Sequence, residues 1–291
     1  MNDQAEKLRA RLLEESSKRP MSKTIAVVSG KGGVGKSNFS LNFSISLCQK
    51  GDKVLLFDMD IGMGNLDILM GRTSTYSIAD FFEKNRSLND IVAEGPNGLR
   101  YIAGGTGLSH IVKLEDEQIS RFTEELAALM GNYDYVIFDM GAGITEESAR
   151  FILSVQEIAV ITTPEPTSIT DAYSAMKQIH LLDDSIPFYI VLNRAQGEKE
   201  GQDTFKRLSD VLKRFLGRES FLLGILPDDR YIQQAVKRQI PFILYHEKSP
   251  AAKAIQHMAD KMGCRPADSA AGKNHSYQFI SKLKKFLFER Q

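Results

Sequence analysis

Eight consecutive residues, Gly30-Lys31-Gly32-Gly33-Val34-Gly35-Lys36-Ser37, constrain the fold more than any other part of this chain. They match, without a gap, the pattern of a glycine, four residues, a second glycine, a lysine and a serine or threonine. An apolar, β-branched run from Thr24 to Val28 precedes them, and a helical pattern from Asn38 to Gln49 follows, with Phe39, Phe43 and Leu47 on one side. Such a loop needs a strand to deliver it and a helix to leave it. Its backbone N–H groups curl around an anion where side chains would block the approach, and the helix N-terminus points at the same charge. The pattern therefore predicts a strand–loop–helix phosphate site in which Lys36 reaches the β- and γ-phosphates of a nucleotide and the Ser37 hydroxyl ligates Mg²⁺. Lys31, directly after the first glycine, is one lysine more than this chemistry requires.

Two further apolar runs end in acids. Lys53 to Phe57 leads to Asp58-Met59-Asp60, and Tyr135 to Phe138 leads to Asp139-Met140-Gly141. Carboxylates at the C-terminal ends of parallel strands face the crevice where open α/β sheets bind ligands. Asp139 suits the role of a Mg²⁺-holding acid, with Gly141 and Gly143 in the loop beyond it. Strand and helix patterns then alternate: strand 157–163, helix 169–182, strand 188–193, helix 205–216 and strand 221–226. Such alternation predicts an α/β fold, a mostly parallel twisted sheet with helices on both faces, as one domain over residues 21–265.

Composition narrows the function. Thirty-seven basic and 37 acidic residues cancel, so no overall field draws the molecule to nucleic acid. Cys48 and Cys264 are isolated, which gives neither a disulfide framework nor a metal-ligand cluster and suits a reducing cytoplasm. No apolar run approaches the roughly 18 residues of a spanning helix. The first 20 residues are charged and carry no secretory core.

The string KGGVGKS resembles the deviant Walker A motif of the MinD/ParA class of ATPases, and the likeness extends over residues 22–265. In that class the residue matching Lys31 reaches the nucleotide of a second subunit, which implies an ATP-dependent homodimer with two ATP molecules between the chains. The segment FDMDIGMGNLD resembles the first switch of MinD-type proteins. By that likeness Asp60 positions the attacking water and Asp58 joins Ser37 and Asp139 around Mg²⁺, so Lys31, Lys36 and Asp60 become the catalytic candidates. A guanine site usually carries Asn-Lys-x-Asp, whereas this chain reads Asn193-Arg194-Ala195-Gln196. The family comparison instead implies adenine flanked by Asn193, Pro227 and Asp228, with Asn38 joining the loop residues Gly30 to Ser37 in the ATP-binding set. Glu165 matches a position near the dimer face of MinD, although helix capping would explain it equally.

Both ends carry further signals. After a small, polar stretch at 266–276 comes YQFISKLKKFLFER. At about 100° per residue, Phe279, Ile280, Leu283, Phe286 and Leu287 share an arc of roughly 120°, with Lys282, Lys284 and Lys285 on its flanks or the opposite side. A bulky apolar face beside basic residues suits a helix lying on an anionic membrane surface, and intramolecular packing produces the same pattern. MinD has a C-terminal membrane-targeting helix of this kind, so residues 277–291 are expected to attach the ATP-bound dimer peripherally to the inner face of the cell membrane. In the free monomer, folding back onto the dimer face is the expected alternative.

At the other end, Asp3 can cap a short helix with Ala5, Leu8, Leu12 and Leu13 on one stripe. The string DQAEKLR, Asp3 to Arg9, resembles the activator motif of the FlhG family (also YlxH or FleN), MinD-like regulators of flagellar number and placement. The resemblance implies that residues 1–20 stimulate the SRP-type GTPase FlhF, with Gln4 as the residue assisting its catalytic water, and that flagellar switch components are partners. A MinD-type regulator of the division site is the alternative, and a ParA-type DNA-partitioning ATPase a more distant one.

Overall fold

Alternate side chains of the first strand enter different cores. In β1 (Lys23–Ser29), Ile25 and Val27 pack into one apolar cluster, while Ala26 and Val28 pack into another on the opposite face. A strand buried on both faces reads as a continuous apolar run, and such strands need helices above and below. The computed structural model supplies them, describing residues 22–60, 64–104, 115–263 and 275–288.

Seven more strands complete one sheet: β2 (Val54–Met59), β3 (Ala93–Glu94), β4 (Arg100–Ile102), β5 (Tyr135–Ala142), β6 (Glu157–Thr162), β7 (Phe188–Ala195) and β8 (Ser220–Pro227). Their order is β3-β4-β2-β5-β1-β6-β7-β8, all pairs parallel except β3 with β4. The expected mostly parallel sheet is present. The chain winds to one side of β1 first and to the other side after β5, so the C-terminal end of β1 opens into a crevice at the reversal.

On one face lie α1 (Lys36–Gln49), α2 (Leu66–Met70), α8 (Arg230–Lys237), α9 (Phe242–Tyr245) and α10 (Pro250–Gly263). α1 is buried nearly all round rather than on the single predicted side, and its Phe39 and Phe43 rings stack 5.2 Å apart. α3 (Ile78–Glu83), α4 (Asp116–Met130), α5 (Glu146–Ile152), α6 (Pro166–Leu182) and α7 (Glu198–Leu216) contribute to the other core.

The C-terminal helix, α11 (His275–Phe288), belongs to that second core. It packs along α4 and touches α5 and β1. Phe279, Leu283 and Leu287 are fully buried, Ile280 and Phe286 partly so, and the Phe279 ring stacks on Phe138 of β5 at 5.2 Å. Lys282 pairs with Asp183 beyond the end of α6 at 3.3 Å, and Lys284 lies over the Phe288 ring. Here the apolar arc expected on a membrane faces the middle of the sheet. Both surfaces reward the same pattern, since each removes the same side chains from water. No helix among the described residues is long and apolar enough to cross a membrane. The expected activator residues Asp3, Gln4, Ala5, Leu8 and Arg9, and the stretch at 266–274, lie outside the described residues.

Candidate functional site

The phosphate-type loop leaves β1 and enters α1 where the pattern placed it. Gly30 is needed for packing more than for any ligand: a Cβ there would sit 2.1 Å from the backbone carbonyl carbon of Asp171, so α6 could not approach the loop. Gly35, at φ 93°, supplies the left-handed turn into α1, and a Cβ there would meet the Asn193 amide at 2.3 Å. Gly32 and Gly33 are exposed on the rim, while Val34 is buried beneath.

Lys36 and Asp139 form a buried ion pair at 2.8 Å. Ser40, one helical turn beyond Lys36, donates to the same Asp139 oxygen at 2.9 Å, and Ser37 lies 3.4 Å from the Lys36 ammonium. The second oxygen, Asp139 Oδ2, is buried with no hydrogen-bond partner. A buried carboxylate oxygen of this kind is costly unless something completes it. With the Ser37 hydroxyl and Asp58 near the same strand ends, the donors are all hard oxygens, which fits Mg²⁺. No cluster of three or more His, Cys, Asp or Glu among the described residues could hold a metal alone.

Asp58 is buried, pairs in register with Asp139 across β2 and β5, and accepts the Asp60 N–H at 3.0 Å. Burial, then the neighbouring Asp139 charge, pushes its carboxyl up to about 7. Gly104, after β4, roofs this carboxylate so closely that a Cβ would lie 3.0 Å from its Cγ. Asp60 is half-buried beside Gly141, and burial raises its carboxyl despite Lys36.

An unfolded aspartate titrates near 3.9, so between about pH 4 and 7 the folded chain holds a proton that the unfolded chain has lost. Asp58 therefore lowers stability progressively as pH rises through that window, and the loss levels off above it. Asp58→Asn cannot ionise, and its stability advantage over wild type should grow by up to about 4 kcal/mol between pH 4 and 7.5. Urea unfolding of both proteins at the two pH values checks this, and parallel curves would contradict it.

Lys31 has a different setting. Its ammonium is bound by Glu165 at 3.0 Å and Thr167 at 3.1 Å, just after β6. Glu165 occupies the N-cap position of α6 but makes no side-chain cap; its carboxylate serves Lys31 instead.

Beside the loop, Asn38, Asn193, Pro227, Asp228, Ile232 and Phe242 are among the residues lining a cavity of about 600 Å³ that reaches Gly35. That volume is typical of a small-molecule site. Asp228 accepts from Gln196, while Asp229 caps α8 through Tyr231 N–H and also accepts the Ala251 N–H of α10. The Asn193 amide is less available than expected. Its Nδ2 donates to the Val34 carbonyl at 2.7 Å and its Oδ1 accepts the Arg194 N–H at 2.9 Å.

Four contributors escaped the sequence reading: Ser40, Gly104, Thr167 and Arg194. Ser40 was findable, because it lies four residues after Lys36 and so on the same helix face.

The sequence profile of the family described as ParA, NUBPL iron-transfer P-loop NTPase, matches residues 20–263. The antiactivator FleN of Pseudomonas aeruginosa is 32% identical over 89% of this chain and 92% of its own length. The flagellum site-determining protein YlxH of Helicobacter pylori is 34% identical over 75% of this chain and 74% of its own. Among solved structures, the septum site-determining protein MinD of Pyrococcus horikoshii, complexed with Mg-ADP, superposes with a TM-score of 0.68 at 25% identity, covering 87% of this chain and 98% of that one. The chain belongs to the MinD/ParA family of P-loop ATPases, in the branch that holds FleN and YlxH.

Proposed function

We propose that this ATPase is a dimerising switch that sets flagellar number and placement, its output being the position of other proteins rather than turnover. The observation that carries the switch is the division of labour between two lysines. Lys36 is buried against Asp139, whereas Lys31 is held at the rim by Glu165 and Thr167, outside its own phosphate nest. A cation so placed is available to a second chain's nucleotide, where it would offset charge developing in phosphoryl transfer.

In this reading Gly30 to Asn38 hold the phosphates, Asn193, Pro227 and Asp228 border adenine, and Asp60 orients the attacking water. Ser37, Asp58 and Asp139 would hold Mg²⁺. Bound there, the metal would neutralise charge on the phosphate oxygens.

The flagellar assignment draws support from the names and coverage of the FleN and YlxH relatives. With it come stimulation of FlhF by residues 1–20, centred on Gln4, and contact with flagellar switch components. We further propose that α11 leaves its groove in the ATP-bound dimer and attaches it to the anionic inner face of the cell membrane, two linked copies binding more tightly than one.

Light scattering with ADP and with saturating ATP tests the switch. Wild type should be monomeric with ADP, Asp60→Ala should accumulate as a dimer with ATP, and Lys31→Ala should stay monomeric with both. A monomeric Asp60→Ala chain under saturating ATP would end the proposal. Mixed with FlhF, the same preparations should accelerate GTP hydrolysis and Gln4→Ala should not; no acceleration by wild type favours the division-site alternative.

A further inference from the structure

Arg194 has a backbone that its side chain disfavours. It sits at φ 58°, in the left-handed region that residues with a Cβ seldom occupy. A strained position of this kind persists only where its surroundings hold it. The residue falls in the register shift of β7 against β8 between Leu192 and Ala195, a bulge that fixes its backbone, and its polar contacts lead from there to the phosphate loop. The Arg194 N–H donates to Asn193 Oδ1 at 2.9 Å, and its guanidinium Nη2 donates to the Gly33 carbonyl, also at 2.9 Å. Asn193 Nδ2 donates to the next carbonyl, that of Val34, at 2.7 Å. Two successive residues at the end of β7 thus grip two successive carbonyls of the loop, some 160 residues earlier in the chain.

The orientation of those carbonyls decides what the loop can bind. A backbone nest attracts an anion only while its N–H groups point inward, and a carbonyl turned the same way would present negative charge to the phosphate. Donors outside the loop keep the carbonyls facing out. We infer that Arg194 is a positioning residue for ATP binding, locking the Gly33–Val34 segment in its anion-binding form from the strand end that also borders the cavity beside Gly35. The left-handed backbone falls at the bulge of β7, and from that point the side chain reaches the loop. This inference rests on the assignment of the loop as the ATP site.

The test separates fold from function by using a residue that tolerates the backbone. Arg194→Gly relieves the left-handed strain, so its thermal midpoint should equal or exceed that of wild type. Its affinity for a fluorescent ATP analogue should nonetheless fall about tenfold, the loss expected for one charged hydrogen bond. Arg194→Lys, which keeps a cationic donor, should recover most of that affinity. Inorganic tripolyphosphate, used as a competitor without base or ribose, should weaken by the same factor against Arg194→Gly. Unchanged ATP affinity in Arg194→Gly, failure of Arg194→Lys to recover any, or undiminished tripolyphosphate competition would each overturn the inference. A wild-type chain that bound no ATP would overturn the site assignment as well.

Discussion

Replacing Lys36 with methionine is expected to remove ATP binding and, independently, to destabilise the chain. The binding loss follows from the charge the lysine brings to the phosphates. Losing charged hydrogen bonds at two phosphate groups should weaken affinity at least about a hundredfold. The stability loss follows from what remains. Asp139 is buried on β5 with Lys36 on one oxygen and nothing on the other. Without the lysine only Ser40 donates to that carboxylate. A buried charge that loses its partner costs roughly 3–5 kcal/mol, although the pair itself contributes far less than that to stability. The double change Lys36→Met with Asp139→Asn should therefore regain most of the stability and none of the binding. Urea unfolding and ATP titration of the three proteins read the two effects apart. ATP affinity within tenfold of wild type in Lys36→Met would refute the role given to the lysine, and unchanged unfolding would refute the cost assigned to the stranded acid.

The parts of this architecture legible in the sequence are those encoded by local pattern. β1, β2 and β5 to β8 are apolar runs long enough to be read singly, and the loop between β1 and α1 has a motif whose spacing follows from phosphate geometry. Asp58 and Asp139 could be placed together because both follow such runs, and they are indeed in register. The edge strands β3 and β4 hold only two and three residues, too few for alternation to register. Pairings set by the tertiary fold were beyond reach. Glu165 lies 134 residues from Lys31, and nothing in TTPEPTS distinguishes a carboxylate that caps α6 from one that binds a lysine. Arg194 is a harder case, because an arginine gives no local signal for a left-handed backbone. At the C-terminus the pattern is that of an amphipathic helix, and one forms there, but amphipathicity reports only that one face avoids water. Phe279, Leu283 and Leu287 fall at intervals of four, a stripe narrow enough for the groove beside α4.

That shared stripe makes membrane attachment and docking mutually exclusive, with a measurable consequence. Phe279→Ala removes a fully buried ring stacked on Phe138 and should cost about 3–5 kcal/mol of stability. It also removes apolar area from the face that would enter a lipid surface, so maximal sedimentation with phosphatidylglycerol vesicles should fall. A change on the groove side acts differently. Phe138→Leu leaves α11 itself intact and loosens its docking, along with the contacts of that ring with Phe57 and Phe151, so the nucleotide-free chain should sediment with vesicles more than wild type does. Deleting 275–291 is the poorer experiment, because it uncovers Phe138 and its neighbours and invites aggregation. The opposite signs of the two substitutions are the diagnostic, since any general loss of stability would move both the same way. If vesicle binding falls, or stays flat, in both variants, α11 is a fixed part of the core and the membrane proposal fails with it.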